Sequence, residues 1–152
     1  MARYAFALTS GSGKTTLYFK YDRVIDIEKG MYFKDVKYAE IKHLEAQALS
    51  TFKVDRLEEY IQHAYNPEPD LILLVHTEWE AKALNAKLMG KFKVDKDSVE
   101  QAIQARKSEP NFTWIRKKML DNWKDCKEKD GWLIKSYAEI EEEVKEVINL
   151  LS

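Results

Sequence analysis

An uninterrupted apolar run in the middle of the chain constrains the fold most strongly. Leu71-Ile72-Leu73-Leu74-Val75 has no polar residue at alternate positions, so both faces of a strand made from it must be covered by other parts of the chain. Directly after it, Thr77-Glu78-Trp79-Glu80 has the spacing of a capping box, which indicates the start of a helix. A central strand followed by a helix predicts a crossover connection and therefore an α/β fold.

The composition fits one domain of this class. The 152 residues are 45% hydrophobic and 34% charged, with 5 Gly and 3 Pro, which excludes disordered and fibrous proteins. The apolar run is far shorter than the roughly 20 residues that a membrane helix needs, and the N-terminus does not resemble a signal peptide. We therefore expect a soluble, intracellular and most simply cytoplasmic protein without membrane contacts. The single cysteine, Cys126, excludes an internal disulfide and a zinc site made of thiolates.

The first part of the chain predicts a three-stranded antiparallel meander. Residues 4–8 are apolar and end at a glycine-rich turn, after which residues 15–21 are β-branched and aromatic. Arg23 to Asp26 extends the second strand, and Met31 to Val36 supplies the third. From Ala39 the apolar spacing becomes helical and continues to Ala64.

The second part of the chain predicts helices and one more strand. The helix after Thr77 is expected to run to about Met89, and a second helix is capped at Asp97. Phe112 to Ile115 has strand composition, a helix follows from Met119 to about Glu128, and Ser136 caps the last helix. The expected fold is one α/β domain with a five-stranded mixed sheet flanked by helices.

The glycine-rich turn has two interpretations. Gly11-Ser12-Gly13-Lys14-Thr15 is similar to the end of a phosphate-binding loop, in which a further glycine stands five residues before the Gly-Lys pair. That position is Leu8 here, and the residues after Lys14 have the composition of a strand rather than of a helix. The run that ends at Val75 also leads to His76 instead of a magnesium-binding aspartate. A hairpin turn is therefore the favoured interpretation.

Charge is concentrated in one part of the sequence. Residues 81–120 contain ten Lys and Arg against four Asp and Glu, an excess of +6, although the whole chain carries a formal charge of -1. Such a segment attracts polyanions. A lysine-rich face of solvated helices explains the same pattern.

The order of elements resembles the ribonuclease H family over about residues 3–128, with 129–152 as a C-terminal helical extension. Ser10-Gly11-Ser12 stands where that family ends its first strand in Asp-Gly-Ser, and Glu40-Ile41 is similar to the start of its first long helix. Val75-His76-Thr77 corresponds to the end of the family's buried strand. Trp114-Ile115 is similar to a later Trp-Val pair, and Asp125, or else Asp121, stands at the family's last site position.

The resemblance implies a degenerate active site. The family holds two divalent ions with four carboxylates, and the matching positions here are Ser10, Glu40, His76 and Asp125, so two carboxylates are replaced. The first expectation is a noncatalytic or weakly catalytic domain that binds nucleic acid, such as an RNA-DNA hybrid or structured RNA, without a cofactor. The second is an atypical nuclease in which Glu40, His76 and Asp125 bind Mg²⁺ or Mn²⁺. The third is a protein-interaction module whose C-terminal helix, Tyr137 to Leu151, docks a partner.

The nucleic-acid hypothesis depends on basic residues. In the ribonuclease H family, the region before the Trp-bearing strand forms a basic protrusion that contacts the nucleic-acid backbone, which implies shape-based and salt-dependent binding. The candidate contacts are Lys14, Lys87, Lys91, Lys93, Lys96, Arg106, Lys107, Arg116, Lys117 and Lys118.

Overall fold

The computed structural model describes residues 2–125 and 131–151, without the side chain of Tyr38. The strands are β1 (Arg3–Leu8), β2 (Val24–Asp26), β3 (Leu71–Val75), β4 (Lys87–Val94) and β5 (Leu133–Lys135). The helices are α1 (Lys14–Lys20), α2 (Lys29–Phe33), α3 (Tyr38–Ile41), α4 (Ala46–Ala64), α5 (Glu78–Ala83), α6 (Lys96–Gln104), α7 (Phe112–Asp125) and α8 (Tyr137–Ile148). No helix in these ranges is both long and apolar enough to cross a membrane.

The five strands form one sheet in the order β2-β3-β1-β4-β5, and every neighbouring pair is parallel. The α/β class and the five-stranded sheet flanked by helices are therefore confirmed, whereas the predicted mixed sheet with an antiparallel meander is wrong. Parallel neighbours need crossover connections rather than hairpins: α2, α3 and α4 lie in the connection from β2 to β3, and α6 and α7 lie in the connection from β4 to β5.

The apolar run that defines β3 is buried on both faces. Ile72 and Leu74 pack in one cluster with side chains of α1, α6, α7 and α8, and Leu71, Leu73 and Val75 pack in the other with α4 and α5. All five side chains are fully buried. The last helix belongs to this core, because Ile140, Val144 and Val147 of α8 are buried in the first cluster.

Three predicted strands are helices in the structure. Residues 14–20 form α1, the segment 31–36 lies largely in α2 and the turn after it, and Phe112 to Ile115 begin α7. Their β-branched and aromatic residues favour strands only weakly, and burial on one side of a helix overrides that preference. The helix after Thr77 ends at Ala83 because residues 87–94 form β4, and neither β4 nor β5 is among the strands predicted from the sequence.

The sequence predicts the starts of helices more accurately than it predicts the strands. The capping boxes at Thr77 and Ser136 are both present, while the helix expected to start at Asp97 has Asp95 as its N-cap. The resemblance to ribonuclease H relied on the antiparallel strands, so the element order no longer supports it. The resemblance was expected to end at residue 128, which lies outside the described residues, as does Cys126.

A salt-bridge network holds the start of β1. The Arg3 guanidinium donates from Nε to Glu68 at 2.8 Å, from Nη2 to Glu58 at 3.0 Å and from Nη1 to the Leu84 carbonyl at 2.8 Å. The hydrogen bond from Arg3 lowers the pKa of Glu68. A lowered folded-state pKa contributes stability above the unfolded-state value and loses it as the pH falls.

We expect Arg3→Met to reduce the free energy of unfolding by about 2 kcal/mol at pH 7, the usual size for charge-assisted hydrogen bonds. The deficit should shrink below about pH 4, where unfolded glutamates become protonated. Urea denaturation at both pH values measures it, with the exposed Arg116→Met as control. An equal deficit at both pH values would contradict the ionic explanation.

Candidate functional site

A cavity of about 640 Å³ lies at the carboxyl ends of β1, β2 and β3. The connection that leaves β1 runs toward β2 at one edge of the sheet, and the connection that leaves β4 runs toward β5 at the opposite edge. Parallel α/β sheets bind ligands where neighbouring connections diverge in this way. One wall of the cavity comes from α2, α3, α4 and the intervening turn, and the opposite wall from α6 and α7.

The glycine-rich segment lies at the centre of this cavity and joins β1 to α1. Gly11 and Gly13 have φ values of +82° and +85°, which other residues adopt only with strain. The backbone N–H of Ser10 donates to Asn122 Oδ1 of α7 at 2.6 Å, and the Ser12 hydroxyl donates to the Thr9 carbonyl. The Thr9 hydroxyl accepts from the Val94 N–H at 3.0 Å, so the loop is fixed to β4 and α7.

The arrangement is strand, glycine-rich loop and helix, and the predicted hairpin turn is wrong. This is the context that distinguishes a phosphate-binding loop from a chance match to its pattern. The departure at the first glycine position has a structural explanation, because Leu8 is the last residue of β1 and fully buried. Among the described residues, positive φ values in the loop occur only at the two glycines, so residue 8 needs no glycine here.

Lys14, the first residue of α1, extends its side chain back along the loop. Its ammonium donates to the Thr9 carbonyl at 3.1 Å, and only 8% of the residue is exposed. Burial lowers the pKa of Lys14, partly opposed by the charges of Asp26 and Glu28. The loop thus holds a cation inside the cavity.

Two carboxylates stand beside the lysine at the end of β2. Asp26 Oδ2 accepts from the Thr15 hydroxyl at 3.2 Å, and Asp26 Oδ1 accepts from the Glu28 N–H at 3.1 Å. Burial, followed by the charge of Glu28, raises the pKa of Asp26 to about 6. Asp26 is therefore a buried carboxyl group that exchanges its proton near neutral pH.

Glu28, Lys53 and His76 continue the polar cluster. The Lys53 ammonium lies 3.4 Å from Glu28 Oε1, and His76 Nε2 lies 3.6 Å from the same oxygen. Burial alone would raise the pKa of Glu28, but Lys53, His76 and Lys14 together hold it well below its usual value. Burial, with the charges of Lys14 and Lys53, lowers the pKa of His76 to about 4. At neutral pH Glu28 is therefore ionised beside Lys53, and the His76 imidazole is neutral.

The His76 ring has unused hydrogen-bonding capacity. Both ring nitrogens are buried, and neither has a hydrogen-bond partner within the part of the chain that the structure describes. Buried polar atoms are normally paired. Because His76 lines the cavity, a bound molecule or water in the cavity could satisfy these atoms.

The structure brings together some of the site residues predicted from the sequence. Ser10, His76 and Asp125 line the cavity, as does the alternative Asp121. Glu40 is exposed on α3, where its carboxylate accepts from the Lys37 N–H at 3.1 Å, and it is not a lining residue. Within residues 2–125 and 131–151, no three His, Cys, Asp or Glu side chains are grouped to hold a metal.

The basic candidates are spread over several elements instead of one protruding loop. Lys14, Arg106 and Lys118 line the cavity. Lys91 of β4 lies 3.1 Å from Glu78, and the Lys93 ammonium lies 4.3 Å from the centre of the Trp123 ring. The others are Lys87 at the start of β4 and Lys96, Lys107, Arg116 and Lys117 on or beside α6 and α7.

Comparison with models of known protein families finds no match, and neither does comparison with curated proteins. The interpretation of the cavity therefore comes from its own geometry.

Proposed function

We propose that this protein binds a nucleoside triphosphate through its phosphates and transfers the terminal phosphoryl group to an acceptor in the same cavity. The observation that carries the proposal is the glycine-rich loop between β1 and α1, with the Lys14 ammonium buried in the cavity at the carboxyl edge of a parallel sheet. In a phosphate-binding loop, backbone amides surround the phosphates and the lysine contacts the terminal ones.

The electrostatics of the loop support an anionic ligand. The Lys14 ammonium is buried and donates to a neutral carbonyl, a costly arrangement for a cation. The opposite wall adds Arg106 and Lys118. A triphosphate placed against the loop would supply the negative charge that these groups favour.

The other side of the cavity favours transfer rather than binding alone. Asp26, Glu28 and His76 lie between the loop and the wall formed by α2 and α4. Phosphoryl transfer needs positioning, charge neutralisation and a group that orients the attacking nucleophile. The neutral His76 imidazole, whose ring nitrogens have no hydrogen-bond partner among the described residues, can orient an acceptor hydroxyl on this side of the cavity.

Mg²⁺ accompanies triphosphates in such loops, and the residues present fit it. Mg²⁺ prefers oxygen ligands and is usually held by one or two side chains together with phosphates and water. Thr15, which follows the loop lysine, and Asp26 provide such oxygens. When bound, the ion would neutralise phosphate charge during transfer.

The nucleic-acid hypothesis stays a prediction. Three of its ten basic residues, Lys14, Arg106 and Lys118, line the cavity and are assigned here to the triphosphate. The protein-interaction and nuclease alternatives likewise stay predictions.

Lys14→Met tests the proposal. We expect the wild-type protein to bind a non-hydrolysable ATP or GTP analogue with Mg²⁺ in isothermal titration calorimetry, and Lys14→Met to bind it about 10- to 100-fold more weakly. This range corresponds to the roughly 1.5–3 kcal/mol of a charge-assisted hydrogen bond. Transfer itself is measured with a triphosphate labelled in its terminal phosphate, by following the label as it appears on an acceptor or as free phosphate.

The exposed Lys37→Met is the control and should bind as the wild type does. The proposal fails if the wild type binds none of the non-hydrolysable analogues of ATP, GTP, CTP and UTP at millimolar concentration. It also fails if Lys14→Met retains full affinity while folded.

A further inference from the structure

We propose that Asp26, at the end of β2, is the protein carboxylate that pairs with Thr15 to hold Mg²⁺, in place of a carboxylate at the end of β3. The inference rests on the proposed function and names the metal site within it. In phosphate-binding-loop enzymes, a carboxylate from a second motif completes the magnesium site begun by the loop hydroxyl.

The end of β3 offers no free carboxylate. The strand ends at Val75 and is followed by His76. Two acids follow at the start of α5: Glu78 is exposed outside the cavity lining and lies 3.1 Å from the Lys91 ammonium, and Glu80 accepts from the His76 N–H at 2.7 Å and from the Thr77 N–H at 3.1 Å through the same oxygen. Glu80 thus caps α5, and its carboxylate is held by backbone amides at the start of that helix.

The end of β2 offers the missing group in the right place. β2 pairs with β3 in parallel, with Asp26 opposite Leu74, so both strands deliver their last residues to the same edge of the sheet. Asp26 Oδ2 lies 3.2 Å from the Thr15 hydroxyl. Two neighbouring ligands of an octahedral Mg²⁺ ion are about 3.0 Å apart, given metal–oxygen distances of about 2.1 Å. The pair is therefore spaced for one ion with little movement.

Two further features of the cavity indicate a ligand at this point. The buried Lys14 ammonium is available to phosphate oxygens on the same side of the loop as Thr15 and Asp26. The His76 ring nitrogens are buried in the same cavity, with Nε2 lying 3.6 Å from Glu28 Oε1, and no described residue forms a hydrogen bond with either. A neutral imidazole at this position can form a hydrogen bond with water around the ion, but it supplies no negative charge. The anionic metal ligand is therefore Asp26 at the end of β2.

The test is the effect of Mg²⁺ on nucleotide affinity, measured by calorimetry with a non-hydrolysable triphosphate analogue in Mg²⁺ and in EDTA. We expect Mg²⁺ to tighten binding to the wild type at least tenfold. Asp26→Asn should reduce this enhancement to less than threefold, with affinity in EDTA unchanged or higher because a repelling carboxylate is gone. Thr15→Val removes the other ligand and should have the same effect if Asp26→Asn does not fold.

Glu40→Gln is the matched carboxylate control and should keep the enhancement, because Glu40 is exposed on α3 and does not line the cavity. The double variant Asp26→Asn with His76→Asp should regain part of it, because a carboxylate returns at the end of β3. Mn²⁺ electron paramagnetic resonance with the same analogue counts the bound ions independently of affinity.

The outcomes separate the two proposals. If the wild type binds no nucleotide in either condition, the proposed function itself is overturned. Suppose instead that the wild type binds nucleotide. If Asp26→Asn and Thr15→Val then keep the full Mg²⁺ enhancement, only the assignment of the metal to Asp26 and Thr15 is overturned. The same assignment is overturned if Mg²⁺ does not tighten binding to the wild type. If Glu28→Gln alone loses the enhancement, the carboxylate that binds Mg²⁺ is Glu28 and the assignment to Asp26 is overturned.

Discussion

Gly13→Ala is expected to reduce the free energy of unfolding by about 3 kcal/mol, the sum of a left-handed backbone penalty of about 1–2 kcal/mol and an overpacking cost of similar size. Gly13 has a φ of +85°, and a Cβ added there would lie 2.1 Å from Cε2 and 2.4 Å from Cδ2 of Tyr137. Tyr137 begins α8, so the last helix packs directly against the loop that begins α1. Displacing the ring or the loop should also weaken triphosphate binding at least tenfold.

Two comparisons separate these contributions. Gly131 has a φ of +89°, but a Cβ there would meet only the end of the flexible Lys91 side chain, so Gly131→Ala should show the backbone cost alone. Introducing Gly13→Ala into a Tyr137→Ala background removes the ring clash and should cost only about 1–2 kcal/mol. Urea denaturation gives all four values. Equal costs in both backgrounds would show that Tyr137 does not restrain the loop.

Gly30→Ala is expected to destabilise the protein by about 2–3 kcal/mol, because overpacking there cannot be relieved by a side-chain rotation. Gly30 is buried in α2, and an added Cβ would lie 2.3 Å from the carbonyl carbon of Arg56 and 2.4 Å from the Leu57 nitrogen in α4. The contact is with backbone, so α2 must move away from α4. That movement would also carry Glu28, which directly precedes α2, away from Lys53.

The sign of the effect makes this prediction decisive. In an exposed helix, Gly→Ala stabilises by about 1 kcal/mol, so the substitution would raise the free energy of unfolding if α2 and α4 were loosely packed. Urea denaturation monitored by circular dichroism measures the change. Ala48→Gly on the exposed side of α4 is the control and should cost about 1 kcal/mol through helix propensity alone. A stabilised Gly30→Ala protein would contradict the close packing.

The misassigned segment after the loop shows where sequence patterns failed. Thr15-Thr16-Leu17-Tyr18-Phe19 has the composition of a strand, and this composition favours a hairpin, whereas in the structure the glycine-rich loop leads into a helix. In the structure Leu17 is fully buried and Phe19 is 79% exposed, which is helical rather than alternating burial. A seven-residue helix shows too few periods for its pattern to be distinguished from that of a strand.

Because residues 14–20 have the composition of a strand, part of the candidate site was not identified from the sequence. Ser10, Lys14 and His76 were singled out from the sequence, but Asp26, Glu28 and Lys53 were not. The signal that would have found Asp26 is its position directly after a short apolar stretch, Val24-Ile25. Had residues 14–20 been assigned to a helix, that stretch would have become a parallel strand, and its terminal carboxylate would have been expected beside the loop.

The sequence by itself determined the elements whose signals are local. The apolar run of β3 requires cover on both faces, and the spacing from Thr77 to Glu80 and from Ser136 to Glu139 is enough to start a helix. Only the tertiary structure decided which strands are neighbours, since β1 pairs with residues about 70 and 85 positions away along the chain. Parallel pairing, the contact between Thr15 and Asp26 and the contact between Gly13 and Tyr137 depend on this long-range arrangement, and no local pattern of residues encodes it.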